Sequence, residues 1–476
     1  MKILHASAEY FPYIKMGGLA DMLASLTKEQ AKTEEVYVAL PYIGGLGKSP
    51  QWTGREYPAL LPNDAKTDSL VVSILKNSKF LEAEESGVKL YFFQSDLFQS
   101  LNSVYGHAEE HFRFAMFSYA CYALSQILKV DVFHAHDWHT AIALTLQKDS
   151  ANPIPSVFTI HNLAYQGDHP FWMTGFLKEE PFRLITSPFD HDGKCNYMKA
   201  GILSADKITT VSPGYREETL SEPNGFGLSY CLQQRSGDYR GILNGIDSEE
   251  WNPNKDKRIY KTYSAKDWKE GKLKNKTELF KEIGRPSLPL DVPLVGLIGR
   301  LTHQKGFPTF LQAFSERRHL PHRYVVLGSG EPEMEKTFYY LSDSLPDIFY
   351  FYKGYNESLA HKIEAASDFF LMPSLFEPCG LNQMYSHNYG TIPIVSRVGG
   401  LRDTVEESNI PTYKTGIVFE PNDAGSLGYA LERAKDIFGS QERDIVVKNI
   451  MDLDWSWKKR KLEYDLVYTK AIELKI

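Results

Sequence analysis

Short apolar runs alternate along this chain with longer stretches of helical spacing. In the first half, runs at 3–6, 36–40, 70–75, 90–93, 132–135, 157–160 and 208–211 each read as a buried strand. Strands this short and this apolar, separated by helix-length segments, predict a largely parallel sheet with helices on both faces. A second series of the same kind begins at 294–299 and continues at 324–327, 349–352, 369–372, 392–395 and 416–419. Between the two lies Asn244-Gly245-Ile246-Asp247, followed by a polar, lysine-rich stretch at 252–276 that opens with Asn252-Pro253-Asn254. Such composition marks a domain crossing. The last segment, 455–476, has Trp455, Trp457, Leu462, Tyr464, Leu466 and Val467 to bury, so it is expected to dock as a helix on the first domain. The predicted class is α/β: two doubly wound domains facing a deep cleft. The first spans 1–248 and is joined by the helix 457–476; the second spans 249–456.

Bulk composition narrows the function classes. With 476 residues, 42% of them apolar and 24% charged, the chain can build two large cores. A net charge of -7 gives no basic footprint for nucleic acid or an acidic membrane, and neither is expected as a partner. Cys121, Cys195, Cys231 and Cys379 stand far apart, which suggests neither a disulfide framework nor a thiolate zinc site. No long apolar segment reads as a leader or a membrane span, so the expected location is cytoplasmic.

Five stretches carry candidate chemistry. Lys15-Met16-Gly17-Gly18-Leu19-Ala20-Asp21 follows an apolar run and opens a helical segment, the setting in which backbone amides and a helix N-terminus meet an anion. Arg300 falls just past the end of a predicted strand, with Lys305 and Gly306 after it. A guanidinium fork and a mobile ammonium at that place suit two phosphates. Alone, the pair could equally be solvated surface cations. Pro373 to Leu381 forms a glycine-relieved turn in which Glu377 could hold sugar hydroxyls or balance positive charge at an anomeric carbon; its bland alternative is a helix cap or an ion pair. His134-Ala135-His136-Asp137-Trp138-His139 and His161-Asn162 crowd imidazoles and a carboxylate together. The spacing completes no metal shell, so a polar, aromatic sugar-binding edge is preferred, with Trp138 as a stacking face. Gly328-Ser329-Gly330 is a weak dinucleotide signal, and neither G-x-S-x-G nor a Walker sequence is present.

Taken in order with Gly241-Ile242-Leu243-Asn244-Gly245-Ile246-Asp247 and Val398-Gly399-Gly400-Leu401-Arg402-Asp403, these stretches closely resemble the bacterial glycogen synthase and plant starch synthase family over nearly the whole chain. The resemblance implies the glycosyltransferase-B fold of two Rossmann-like domains. It also implies transfer of glucose from ADP-glucose to the nonreducing 4-hydroxyl of an α-1,4-glucan, with retention and with no metal or other cofactor. In this sequence Lys15, Gly17, Gly18 and Asp21 would bind the donor, Cys379, Gly380 and Leu381 would complete its turn, and Tyr355 would pack on adenine. Arg300 and Lys305 would stabilise departing ADP. Glu377 and His161 would hold the glucose, with the His161 carbonyl near the reacting carbon, while Asp137, Trp138, His139 and Asn162 would meet sugar and acceptor. Met16 stands where the family usually has Thr, the 104–110 segment lacks an expected aspartate-asparagine pair, and Tyr385 takes the place of a second Glu found in many related retaining enzymes. The alternatives are a retaining glucosyltransferase using UDP-glucose or another acceptor, a phosphorylase with a pyridoxal lysine, for which no motif is seen, and a catalytically silent glucan-binding protein.

Overall fold

In the computed structural model, which describes residues 1–475, six of the seven apolar runs of the first half pair, with three further strands, into one nine-stranded sheet. Its order is Tyr239–Gly241, Lys207–Thr210, Ser156–Ile160, Val132–His136, Lys2–Ala6, Glu35–Pro41, Val88–Gln94, Lys79–Glu85 and Trp52–Pro58. The first seven run parallel and the last two antiparallel. Lys2–Ala6 sits where the strand order reverses, with His5 opposite His134 across the ladder. In open α/β sheets, ligands bind beyond the carboxyl ends of strands at such a switch point.

The run at 70–75 is not a strand. It forms helix Leu70–Lys76, started by Ser69, whose hydroxyl accepts from the Val72 amide. Val71, Val72 and Leu75 are buried together, a spacing that suits one helical face as well as a strand. Three strands of this sheet had no predicted run: Lys79–Glu85, the three-residue Tyr239–Gly241, and Trp52–Pro58, which is exposed along nearly its whole length so that no apolar pattern marks it. A small antiparallel sheet of Asp168–Pro170, Lys194–Asn196 and Asp190–His191 was also not foreseen.

The second sheet follows its six predicted runs. All strands are parallel, in the order Phe349–Lys353, Arg323–Gly328, Leu294–Ile298, Phe369–Met372, Ile392–Ser396, Ile417–Phe419. Numbered within the unit this is 3-2-1-4-5-6, the doubly wound order, with the switch between Leu294–Ile298 and Phe369–Met372. Phe370, Met372, Val395, Val398, Leu401, Val405 and Val418 form a core cluster on it, with Ile298 alongside.

The chain divides into Met1–Gly245 with Trp457–Ile476, and Ile246–Ser456. Helix Trp457–Glu473 packs in the first unit against helix Gly18–Gln30 and strand Ser156–Ile160. Trp457, Tyr464, Val467 and Tyr468 are buried there, but Leu462 and Leu466 remain exposed, contrary to expectation. Trp455 belongs to the second unit, stacked on His387. Among the described residues no helix is long and apolar enough to cross a membrane.

Candidate active site

In the second unit, the loops after the two switch-point strands are tied to each other. Leu294–Ile298 leads to Gly299, exposed Arg300, and a short helix, His303–Lys305. Gly306 has φ +67°, and a Cβ there would lie 1.7 Å from the Pro373 carbonyl oxygen, so only glycine lets the two loops approach. Across that contact the Leu375 amide donates to the Gln304 carbonyl at 2.8 Å, and Gln304 Nε2 to the Phe376 carbonyl at 3.3 Å. Lys305 Nζ then reaches Glu377 Oε2 at 2.6 Å, and Ser374 Oγ donates to the same oxygen at 2.9 Å. The Glu377 carbonyl accepts from the Gly400 amide, whose Cβ position is blocked by the Cys379 backbone.

Glu377 is thereby fixed through Oε2 and nearly buried, whereas Lys305 keeps a quarter of its side chain in solvent. The Arg300 guanidinium has no ion-pair partner among the described residues. Cys379 is a buried thiol, Gly380 takes φ +72°, and Leu381 precedes helix Asn382–Asn388. Tyr355 is 65% exposed after Gly354. Two cations and a held carboxylate thus gather at one switch point, an arrangement suited to a phosphorylated sugar.

The first unit builds its switch point differently. The turn before helix Gly18–Gln30 was expected to offer its amides to an anion, but those of Met16 and Gly17 donate to Glu9 Oε2 at 2.7 and 2.8 Å. Tyr105 holds the other Glu9 oxygen at 2.9 Å. Glu9 was missed in the sequence because nothing in its spacing links it to a turn seven residues on. Lys15 pairs with Asp21 at 3.0 Å and lies over the Phe11 ring.

Asp137 follows Val132–His136 with φ 55° and ψ 179°, a conformation unfavourable for a residue with a Cβ. Its Oδ1 accepts from the His161 amide at 2.7 Å and the Asn162 amide at 3.5 Å, and its own amide donates to the Thr159 carbonyl. The expected sugar contact is thus first a clamp on the His161 loop. Burial pushes its carboxyl up to about 7 against those two hydrogen bonds. Trp138 and His139 correct the expectation more strongly. Trp138 is buried among Phe114, His169 and Tyr197, with Gly167 against its ring, and so presents no open stacking face. His139 is buried beside Tyr105 and Phe114. Asn162 is half-buried, its side-chain oxygen accepting from the Ala164 amide.

His161 is half-buried, and its Nε2 lies 2.9 Å from His136 Nδ1. His5, His134 and His136 bring ring nitrogens within 4.8 Å of one another. Those nitrogens are each engaged in a hydrogen bond: His5 with Gln30 and His136, His134 with Tyr468 and Thr159, and His136 with His5 and His161. Burial holds all four imidazoles below the usual range, His5 at about 4 and His161 at about 3. His5 and Gln30 carried no signal in the sequence, since single polar residues in apolar segments read as ordinary core exceptions.

Comparison with known proteins places both halves. Residues 2–234 match the family model described as starch synthase catalytic domain, and 280–443 that described as glycosyl transferases group 1. The chain is 78% identical to a glycogen synthase of Leptospira biflexa, covering 100% of both chains. It is 37% identical to the glycogen synthase of Bacillus subtilis, covering 99% of this chain and 98% of that one. Among solved structures, the catalytic domain of starch synthase IV from Arabidopsis thaliana, bound to ADP and acarbose, matches with a TM-score of 0.87 and 31% identity over 99% of each chain. A sucrose-phosphate synthase from Thermosynechococcus elongatus shares the fold at a TM-score of 0.62 and 17% identity, over 99% of each chain.

Proposed function

Because this chain belongs to the glycogen synthase family of glycosyltransferases, with the glycosyltransferase-B fold, we propose that it transfers glucose from ADP-glucose to the nonreducing 4-hydroxyl of an α-1,4-glucan with retention. What supports the reading most is the Arg300, Lys305 and Glu377 set at the carboxyl ends of two adjacent strands, with Lys305 and Glu377 2.6 Å apart. The starch synthase neighbour holds ADP, which favours adenine as the donor base here. Exposed Tyr355 is its proposed platform.

Breaking the bond from the anomeric carbon to the diphosphate leaves negative charge on ADP and oxocarbenium-like positive charge on glucose. Arg300 takes a phosphate in its planar fork and Lys305 adds a second positive charge, so the developing charge meets groups already in place. These side chains supply the positive charge that a metal would otherwise bring, and the reading needs no cofactor. Lys15 and Gly18 serve the donor, the Gly17 amide being taken by Glu9, and Asp21 its sugar hydroxyls. With Glu377 Oε2 held by Lys305 and Ser374, Oε1 is the atom that accepts from glucose, aided by the Cys379 to Leu381 turn. A diphosphate needs no protein acid to leave. Its oxygen can take the proton of the acceptor hydroxyl on the same face, which retains configuration. In the first unit the Asp137 clamp sets the His161 backbone for the sugar, and Asn162 adds hydroxyl contacts; Trp138 and His139 shape this edge from beneath. The four buried, unbridged cysteines fit a reducing cytoplasm.

The test is incorporation of labelled glucose into a maltooligosaccharide primer, with ADP-glucose and UDP-glucose run in parallel in chelator. Preference for ADP-glucose with an α-linked product is expected. Preference for UDP-glucose overturns the donor assignment, dependence on added metal overturns the cofactor-free reading, and binding of glucan without transfer from either donor points to a silent glucan-binding protein.

A further inference from the structure

The buried histidines of the first unit form more than a packed cluster. Gln30 is fully buried, with its amide oxygen 2.9 Å from His5 Nε2 and its amide nitrogen donating to the Tyr468 hydroxyl at 3.0 Å. An amide oxygen can only accept, so His5 carries its proton on Nε2 and accepts at Nδ1. His136 Nε2 lies 3.0 Å from that Nδ1 and must donate to it. His136 Nδ1 is then an acceptor, and His161 Nε2, 2.9 Å away, must donate in turn. Burial disfavours a charged imidazole at each step, so one proton sits on each ring and the sense of one bond dictates the next. A second arm leaves the same amide: Tyr468 donates to His134 Nδ1 at 2.9 Å, and His134 Nε2 donates to Thr159 at 2.6 Å.

We propose that Gln30, His5 and His136 are positioning residues that lock His161 as its Nε2–H tautomer, so that the outward-facing Nδ1 is a fixed hydrogen-bond acceptor for a hydroxyl of the transferred sugar. This rests on the reading of His161 as a sugar contact. His161 Nδ1 has no protein hydrogen bond among the described residues, and the side chain is half-buried rather than enclosed. A neutral imidazole left alone interconverts between tautomers, and only one of them can accept from a sugar hydroxyl at Nδ1. The relay removes the wrong form before the donor arrives, which is preorganisation in its simplest sense. Its anchor comes from the far end of the sequence. Tyr468 lies on the last helix, Trp457–Glu473, and holds the Gln30 amide in the orientation that sets both arms.

The test is nitrogen-15 NMR of histidine-labelled full-length protein, with the His161 ring assigned by its loss in His161→Ala. Wild type is expected to show His161 as a single Nε2–H tautomer. His136→Leu, which removes the acceptor, is expected to give a mixture of tautomers and to lower kcat/KM for the donor about ten-fold, the size of one lost hydrogen bond to substrate. His136→Gln, whose amide oxygen can accept from His161, is expected to restore both. Tyr468→Phe keeps the buried ring and removes only the hydroxyl, so it serves if His136→Leu fails to fold; it too should give a mixture. An Nδ1–H or charged His161 in wild type, or an unchanged tautomer in the variants, overturns the relay. A shifted tautomer with unchanged kcat/KM overturns the sugar-contact reading of His161 while leaving the lock itself in place.

Discussion

The six-stranded sheet of the second unit carries charged residues at both ends of the same two strands, and the two ends treat them in opposite ways. At the amino ends of Leu294–Ile298 and Phe369–Met372, Lys276 Nζ donates to the Leu290 and Val292 carbonyls and to Asp368 Oδ2, at 3.0, 2.5 and 2.9 Å. Asp368 also takes the Leu294 amide and a guanidinium nitrogen of Arg443. The Lys276 and Asp368 side chains are only 2% and 5% exposed. At the carboxyl ends, Arg300 stands in solvent and Lys305 is tied to Glu377 while remaining partly open. Residue type does not separate a fully partnered charge from an open one here. What separates them is whether the protein already supplies every partner: a satisfied ammonium has nothing left for a ligand, and an exposed guanidinium does.

The largest effect should come from the satisfied end. Asp368→Ala leaves buried Lys276 and half-buried Arg443 without their carboxylate and should cost about 3–5 kcal/mol of stability. Urea unfolding would measure the loss, while turnover per folded molecule should stay near wild type. Neutralising the set together as Asp368→Asn, Lys276→Met and Arg443→Met keeps an acceptor for the Leu294 amide, and should recover more than half of it. A triple variant as unstable as Asp368→Ala would mean that charge itself, rather than satisfaction, matters at this end.

The carboxyl end should show the converse. Arg300→Ala is expected to lower turnover by about 10²–10³, the scale for loss of one preorganised group facing developing charge, with no change in melting temperature because the side chain touches little. Arg300→Lys should recover only part, since a point charge cannot replace a two-pronged grip. A large drop in melting temperature with Arg300→Ala would break the distinction.

How far sequence alone reached follows the same division. All six strands of the second sheet were readable: five are short runs buried on both faces, and the sixth, edge strand Phe349–Lys353, alternates buried Phe349 and Phe351 with half-buried Tyr350 and Tyr352. Leu70–Lys76 misled because seven residues with Val71, Val72 and Leu75 inside fit a helical face and a strand about equally. Trp52–Pro58 was invisible because an exposed edge strand needs no apolar residues. Arg300, Lys305 and Glu377 were singled out as candidates by their place after strands, and the structure brings Lys305 and Glu377 together. Their difference from Lys276 and Asp368 was not readable, since satisfaction depends on carbonyls that sequence does not locate. Trp138 was misread for a related reason: an aromatic beside polar residues looks like a platform until Gly167 and Phe114 are seen to cover it.

Two buried aspartates carry the comparison into one measurable quantity. Burial raises both, but Lys276 and Arg443 overcome it at Asp368 and hold that carboxyl below its usual value. Asp137 has only the His161 and Asn162 amides to oppose burial, and it rises to about 7. Between roughly pH 4, where the unfolded carboxyl titrates, and pH 7, folded Asp137 keeps a proton that the unfolded chain has lost. Stability contributed by this group is therefore complete below about pH 4, falls by about 1.4 kcal/mol per pH unit through that window, and levels off above the folded value. Asp137→Asn keeps the acceptor oxygen for both amides and does not titrate. The wild type should thus lose ground to Asp137→Asn as pH rises from 5 to 7, with little further change at pH 8, measured by urea unfolding at each pH. A difference that stays flat would mean that two amides hold a buried carboxylate ionised as well as two cations do, and the Asp137 clamp would then belong with Asp368 among the fully satisfied charges.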